Sequence, residues 1–269
     1  MYKKKKVLLI DGDILAYQIA TNNEVETNWG DGLWTLHSNE NSCKQQFDAV
    51  IDDLGSNLSA DDYIVALTDK NNFRKDILPT YKSNRNSKRK PIVLNAMREH
   101  IMEKHNGVVW KNLEADDVMG IMATEPTQED RVIVSIDKDM RTIPCTLSND
   151  GTTTEQIPQR LADYNFMIQV LTGDKVDGYD GIDGVGIKTA EKLIKKYTNV
   201  PLLDLWKIVK GIYKDKGYTE QEALQQARVA HILRHGEYNK KTGKVTLWQI
   251  WYRTLHTMQT MRLNLLIIS

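Results

Sequence analysis

VLLIDGD, residues 7–13, sets four apolar residues directly against two aspartates separated by a single glycine. An aliphatic run this short, bounded by turn residues, has the pattern of a strand buried on both faces. Two further runs share the form, YIVALT at 63–68 and RVIVSI at 131–136, and each is followed by apolar residues at helical spacing. A fourth run, Gly107 to Trp110, predicts another strand. Helices are predicted over roughly 42–57, 91–105 and 114–124, the last entered through Glu114 and stopped near Pro126. This alternation predicts an α/β fold with a central, mainly parallel sheet and helices on both faces. Beyond about residue 155 the strand signal ends, and the chain to about 236 reads as helices broken by glycine-rich turns. The expected organisation is an α/β core over 1–155, a helical part over 156–248 and a tail, 249–269, with no role assigned.

Composition bounds the chemistry. The 269 residues carry 36 Lys+Arg against 36 Asp+Glu with 41% apolar residues, which places the chain among globular proteins and away from disordered ones. Cys43 and Cys145 make no disulfide framework and no C-x-x-C pair, so a site must use oxygen ligands or none. Lys3 to Lys6 precede an apolar run as in a signal peptide, but Asp11 and Asp13 interrupt it, and the terminal LNLLIIS is too short to span a bilayer. A cytoplasmic protein with no membrane partner is expected. No P-loop or nucleophile elbow is present. His231 and His235 sit at i, i+4 without the glutamate of a zinc-protease motif, so they read as packing or surface residues of a helix.

Ligands of an open parallel sheet bind at the carboxyl ends of its strands. The first run ends in Asp11, the second in Thr68-Asp69 and the third in Ile136-Asp137-Lys138-Asp139. Glu114, Asp116 and Asp117 sit at a predicted helix start, and Asp174 and Asp177 lie in TGDKVDG. One such acid is ordinarily a cap or a solvated turn. Nine in five clusters at one rim would repel strongly without cations, and an all-carboxylate set suits Mg²⁺ or Mn²⁺. The number of acids suits two ions, as in phosphoryl-transfer sites. Asp13 is a candidate tenth member, but its position predicts that it caps the first helix.

With those nine set aside, 36 bases face 27 acids, the balance of a basic surface around an acidic pit, suited to a polyanion. From Ile77 to Arg98 there are six bases, Lys82, Arg85, Lys88, Arg89, Lys90 and Arg98, and no acid. This segment follows the strand that delivers Asp69, so Lys82 and Arg85 are the candidates to reach a phosphate there. In GIDGVGIKTAEKLI, 181–194, a glycine turn around Val185 leads into a helix start with Lys188 and Thr189. Such a turn presents backbone N–H groups to a phosphate, and its lysines add grip on a nucleic-acid backbone without base readout.

The motifs LLIDGD, ALTDKNNFRKDILPTYKSNR, LEADDVMG, VSIDKDM, TGDKVDGYDGIDGVGIKTAEKL and ARVAHILRHGEYN, spread from about Val7 to Trp248, together resemble the flap endonuclease / 5′→3′ exonuclease family, most closely its branch in short-tailed, T-seven-like bacteriophages. The resemblance implies a PIN-like nuclease core with a helix–hairpin–helix in the helical part. It implies that Asp11, Asp69, Glu114, Asp116, Asp137 and Asp139 form one metal site, with Asp117 a further acid of that cluster, and that Asp174 and Asp177 complete a second. Lys82 would contact the scissile phosphate, Arg85 would help hold it, and Tyr81 would stack on the terminal nucleotide. The segment with Lys88, Arg89 and Lys90 would form the gateway for the 5′ end. Gly184, Val185, Gly186, Lys188 and Thr189 would hold the duplex, with K⁺ at the turn. The implied activity is hydrolysis, by two Mg²⁺ or Mn²⁺ ions, from 5′ ends of duplex DNA, flaps and RNA–DNA hybrids. It would serve phage replication, primer removal and host DNA degradation, by a monomer that contacts replication proteins.

Two other functions compete for the same residues. A haloacid-dehalogenase-type phosphatase would use Asp11 as nucleophile and Asp13 as acid, but leaves Asp69, Glu114, Asp116, Asp137 and the glycine turn without a task. A non-catalytic DNA-binding protein would keep the basic turn, yet the full complement of acids argues against it.

Overall fold

A computed structural model describes residues 3–85 and 87–249. In chain order its elements are β1 (Lys6–Asp11), α1 (Gly12–Asn22), β2 (Glu24–Asn28), β3 (Trp34–Ser38), α2 (Glu40–Asn57), β4 (Asp62–Leu67), α3 (Arg74–Ile77), α4 (Leu94–Lys104), β5 (Gly107–Val109) and α5 (Ala115–Thr124). There follow β6 (Asp130–Val134), β7 (Cys145–Ser148), β8 (Glu155–Ile157), α6 (Gln159–Thr172), α7 (Ile187–Ile194), α8 (Leu202–Asp215), α9 (Glu220–Ala230), β9 (Tyr238–Asn239) and β10 (Lys244–Val245).

The central sheet has the order β5-β4-β1-β6-β7-β8, parallel throughout except for the last pair. Its aliphatic strands are covered on both faces, as their uninterrupted apolar runs require. The pleat sends Leu8, Ile10, Val65, Leu67, Val132 and Val134 to one face, where they meet Ala16 and Ile19 of α1, Phe47 and Ile51 of α2 and Met97 and Ile101 of α4. It sends Leu9, Ala66 and Ile133 to the other, against Val118 and Met119 of α5 and Ala162 of α6. A third core joins α6 to α9 and draws in Tyr81, Tyr179, Ile182, Val185 and Trp248. The helical part thus shares its core with the loop after α3, and the division expected at 155 falls inside β8.

The strands expected at 7–10, 63–68, 107–110 and 131–136 are β1, β4, β5 and β6, although β6 stops at Val134 and leaves Ile136 exposed. The reading missed the β2–β3 hairpin, β7, β8 and the short β9–β10 pair. EVETN has too few apolar residues to signal a strand, and the hairpin keeps Trp29, Leu33 and Trp34 exposed at or beside its loop. Asp13 is not the cap of α1. That role falls to Asp11, whose Oδ1 accepts from the Ile14 N–H at 3.1 Å. His231 and His235 lie beyond the end of α9 rather than on it. His231 is buried with Nε2 2.8 Å from Glu237. Of the tail, residues 250–269 lie outside the described residues. No described helix is long and apolar enough to cross a membrane.

Candidate active site

The carboxyl ends of β1, β4 and β6 open onto a cleft of about 680 Å³ lined by Asp11, Asp69, Glu114, Asp116, Asp137, Asp139, Asp174 and Asp177, together with Asp13, Lys82, Arg85, Lys90, Arg98 and Lys138. Parallel topology is the cause: strands that all run the same way deliver their terminal aspartates to one edge. α5 adds Glu114 and Asp116 from its N-terminal end, and the loop after α6 adds Asp174 and Asp177.

The acids crowd one another. Burial, and then the nearby Asp137, push Asp11 up to about 6 against the hydrogen bonds it accepts from Ile14 N–H and Ser135 Oγ. Burial followed by repulsion from Asp11 and Glu114 holds Asp116 well above the carboxylate range. Burial and Asp137 push Asp139 up to about 7. Glu114 goes the other way: burial alone would raise it, but Lys82 and Arg74 bring it down to about 2. A concave set of carboxylates, several of them short of positive partners, is a receptor for cations, and its oxygen-only donors fit hard divalent ions.

Lys82 stands at the centre of the wall. Its Nζ contacts Glu114 Oε1 and lies 3.5 Å from Asp177 Oδ2, and these acids, with Asp116, outweigh burial and raise its pKa. Its backbone is held at φ +54°, a conformation that costs a non-glycine residue of order 1 kcal/mol or more. The surroundings impose it: Lys82 N–H donates to the Asp177 carbonyl at 2.7 Å. Arg85 pairs with Asp177, and Lys138 Nζ lies 3.1 Å from Asp174 Oδ2.

The loop of Asp174 and Asp177 is closed by two glycines. Gly173 at φ +64° and Gly181 at φ +63° pack backbone to backbone, so that a Cβ on Gly173 would lie 2.4 Å from Gly181 N and one on Gly181 2.3 Å from Gly173 N. Only glycine fits either place.

Three expected site residues have other partners. Asp117 is buried outside the cleft, with Oδ2 2.6 Å and Oδ1 2.9 Å from the Arg74 guanidinium and a further N–H from Leu233. Its lone pairs are committed to the scaffold, which corrects its reading as a metal ligand. Tyr81 is 3% exposed, and its hydroxyl donates to Glu114 Oε2 at 2.8 Å. Its ring packs in the core and is not offered to a nucleotide, which corrects the stacking role. Arg89 is turned from the cleft onto Glu24, with two bonds of 2.7 and 2.6 Å; Lys88 is exposed and Lys90 lines the cleft.

At the glycine turn, Val185 N–H donates to the Ile182 carbonyl and the Val185 side chain is buried, so its part in any ligand contact is through backbone. Gly184 and Gly186 face open space, and Lys188 and Thr189 are exposed at the start of α7. The sequence reading missed Lys138 as a cleft residue, and Asp13, the candidate tenth acid assigned to the helix cap, lines the cleft as well. Asp13 accepts from Thr68 N–H at 2.6 Å and pairs with Arg98, so it is not poised as the free acid of a phosphatase. The signal for Lys138 was its place between two acids, Asp137 and Asp139.

This arrangement meets known proteins at three levels. Residues 6–146 match the family described as 5′-3′ exonuclease, N-terminal resolvase-like domain. The exodeoxyribonuclease of Enterobacteria phage T3 is 30% identical over 91% of this chain and 93% of its own, and the exonuclease of Escherichia phage T7 is 30% identical over 91% and 94%. Among solved structures, the T5 D15 protein co-crystallised with metal ions aligns at TM-score 0.62 and 17% identity over 84% of this chain and 89% of that one. Zinc-bound T5 5′-exonuclease aligns at TM-score 0.61 and 18% identity, over 84% and 93%. At that identity the structures speak for the fold, while the sequence matches speak for descent, and the chain belongs to the 5′-3′ exonuclease family.

Proposed function

We propose that the cleft hydrolyses phosphodiester bonds from the 5′ end of duplex DNA and of RNA–DNA hybrids, with two Mg²⁺ or Mn²⁺ ions, and leaves 5′-phosphorylated nucleotides. The observation that carries this is the gathering of eight acids from separate strands, a helix start and a loop in one cleft together with Lys82 and Arg85. Asp11, Asp69, Glu114, Asp116, Asp137 and Asp139 are the residues to hold one ion, and Asp174 and Asp177 those to complete the second site. Where bound, the ions supply Lewis-acid polarisation of phosphoryl oxygens and acidify water near neutral pH.

The chain's own groups do the rest. With the acids neutralised by cations, Lys82 and Arg85 are free to turn their charge from Glu114 and Asp177 onto the scissile phosphate. No side-chain nucleophile is required. Tyr81 holds Glu114 in place through its hydroxyl. The turn of Gly184, Val185 and Gly186, with Lys188 and Thr189, is suited to act as a helix–hairpin–helix that grips the duplex backbone, with K⁺ at the turn. Lys88 and Lys90 would border the path of the 5′ end. The biological reading is phage DNA replication, primer removal and host DNA degradation in the bacterial cytoplasm, by a monomer that contacts replication proteins.

The test is cleavage in magnesium of one duplex labelled at the 5′ end and of another labelled at the 3′ end. Early release of 5′ label as short products, abolished by Asp137→Ala and reduced roughly 10²- to 10³-fold by Lys82→Ala, is expected. Intact DNA in both magnesium and manganese would refute the reading.

A further inference from the structure

Away from the cleft, three side chains that the reaction does not use converge behind the sheet. Asp48 lies on α2, His100 on α4, and His105 is the residue that ends α4. The Nε2 atoms of His100 and His105 lie 2.5 and 2.6 Å from the same atom, Oδ1 of Asp48. All three ligand atoms fall within 4.8 Å of one another, and among the described residues no other group of His, Cys, Asp and Glu closes so tightly, the cleft acids included.

We propose that Asp48, His100 and His105 form a binding site for a transition-metal ion of the zinc class, separate from the all-oxygen cleft, with a fourth position left to water. Two imidazole nitrogens and one carboxylate select zinc, cobalt or nickel over magnesium, which prefers oxygen and retains its waters. The geometry is near what a tetrahedral ion needs: bonds of about 2.0 Å set ligand atoms roughly 3.3 Å apart, so the present contacts have to open by roughly 0.7 Å. The site is also reachable. The histidine side chains are 12% and 9% exposed and so held in place, whereas that of Asp48 is 47% exposed and opens to solvent.

The surroundings fit the protons as well. Ligation through Nε2 leaves the proton of a neutral imidazole on Nδ1. The Nδ1 of His105 lies 3.1 Å from the Tyr63 hydroxyl, which can accept from Nδ1–H when the ion is bound and donate to a bare Nδ1 otherwise. Phe47 packs edge-on against the same ring, with centroids 5.1 Å apart, and keeps it from turning away. An ion here ties α2 to the end of α4, the helix whose Arg98 reaches Asp13 in the cleft.

The full chain is titrated with Co²⁺, and then Zn²⁺, in a large excess of Mg²⁺ that occupies the oxygen ligands of the cleft. One equivalent of Co²⁺ should bind with a visible absorption that Zn²⁺ abolishes. At about 100 times its Kd, Zn²⁺ should raise Tm by roughly 5 to 10 °C. His100→Gln and Asp48→Asn, chosen because His105 is packed in the core and its loss threatens folding, should each weaken Co²⁺ binding by more than about tenfold. Asp116→Asn, in the cleft, should leave it unchanged. Binding that survives both outer substitutions, binding lost with Asp116→Asn, or no Co²⁺ retained against Mg²⁺ would each overturn the proposal.

Discussion

Arg74 commits its whole guanidinium. Nε donates to the Val229 carbonyl, one terminal nitrogen to Asp117 and Glu114, and the other to Asp117 and the His231 carbonyl. Arg74 is 2% exposed, and although burial opposes its charge, Asp117 holds its pKa well above the ordinary value. A lysine ammonium cannot reproduce this fork. Arg74→Lys should therefore cost about 3 to 5 kcal/mol of stability, the price of leaving a buried charge poorly paired, read as a lower urea midpoint with unchanged slope. Nothing local in FRKD marks Arg74 over Lys75, because the partners lie 40 to 157 positions away. The acids of the cleft were legible for the opposite reason, since they stand close after an apolar run, at a helix start or, for Asp174 and Asp177, in a glycine-bounded turn. Asp117 and Tyr81 were misplaced because a motif gives residue type and spacing, while the partner that claims a carboxylate or covers a ring is set by tertiary packing.

Among the elements, the loop that closes on Gly173 and Gly181 is the least tolerant. Gly173→Ala puts a Cβ 2.2 Å from the Asp180 carbonyl carbon at a positive φ. It should lower Tm and, by displacing Asp174 and Asp177, reduce cleavage more than it reduces DNA binding. Steady-state cleavage set beside equilibrium binding of an uncleaved duplex separates the two effects. The β2 hairpin offers a pH test. Arg89, and then the Ile92 N–H at 2.8 Å, lower Glu24 to about 2. A depressed carboxylate contributes its stability above the unfolded value, near 4.5, and loses it as pH falls toward 2. Protection of the Ile92 amide, taken relative to its intrinsic exchange rate at each pH, should accordingly fall across that window, and Glu24→Gln should show the low protection at neutral pH. That hairpin escaped the sequence reading because EVETN and WTLHS pair with each other and bury little, whereas β1, β4 and β6 announce themselves by lying in the middle of a covered sheet.

For the molecule as a whole, the cleft opposes stability. Asp116 is held near Asp11 and Glu114 at a cost that a neutral isostere removes. In chelator, Asp116→Asn should raise Tm by about 2 to 4 °C, equivalent to ~1 kcal/mol, and should abolish cleavage. Added Mg²⁺ should stabilise the parent protein more than the variant. Thermal melts of both proteins with and without Mg²⁺ check each point. The net charge of zero, uninformative as a total, becomes intelligible once acids and bases are sorted by place: acids are gathered at the strand ends, and bases line the segment that overhangs them.

The cleft is assembled from residues that lie between Asp11 and Asp177, and the carbonyls that lock Arg74 beneath it come later still, at Val229 and His231. During synthesis, then, the first strands can pair long before the chain that completes the site leaves the ribosome. A protein cut short between Asp177 and α9 has its aspartates but not the frame that aims them. The acids are thus made first and the frame that aims them last, so the site is complete only once α9 and the residues just after it have emerged.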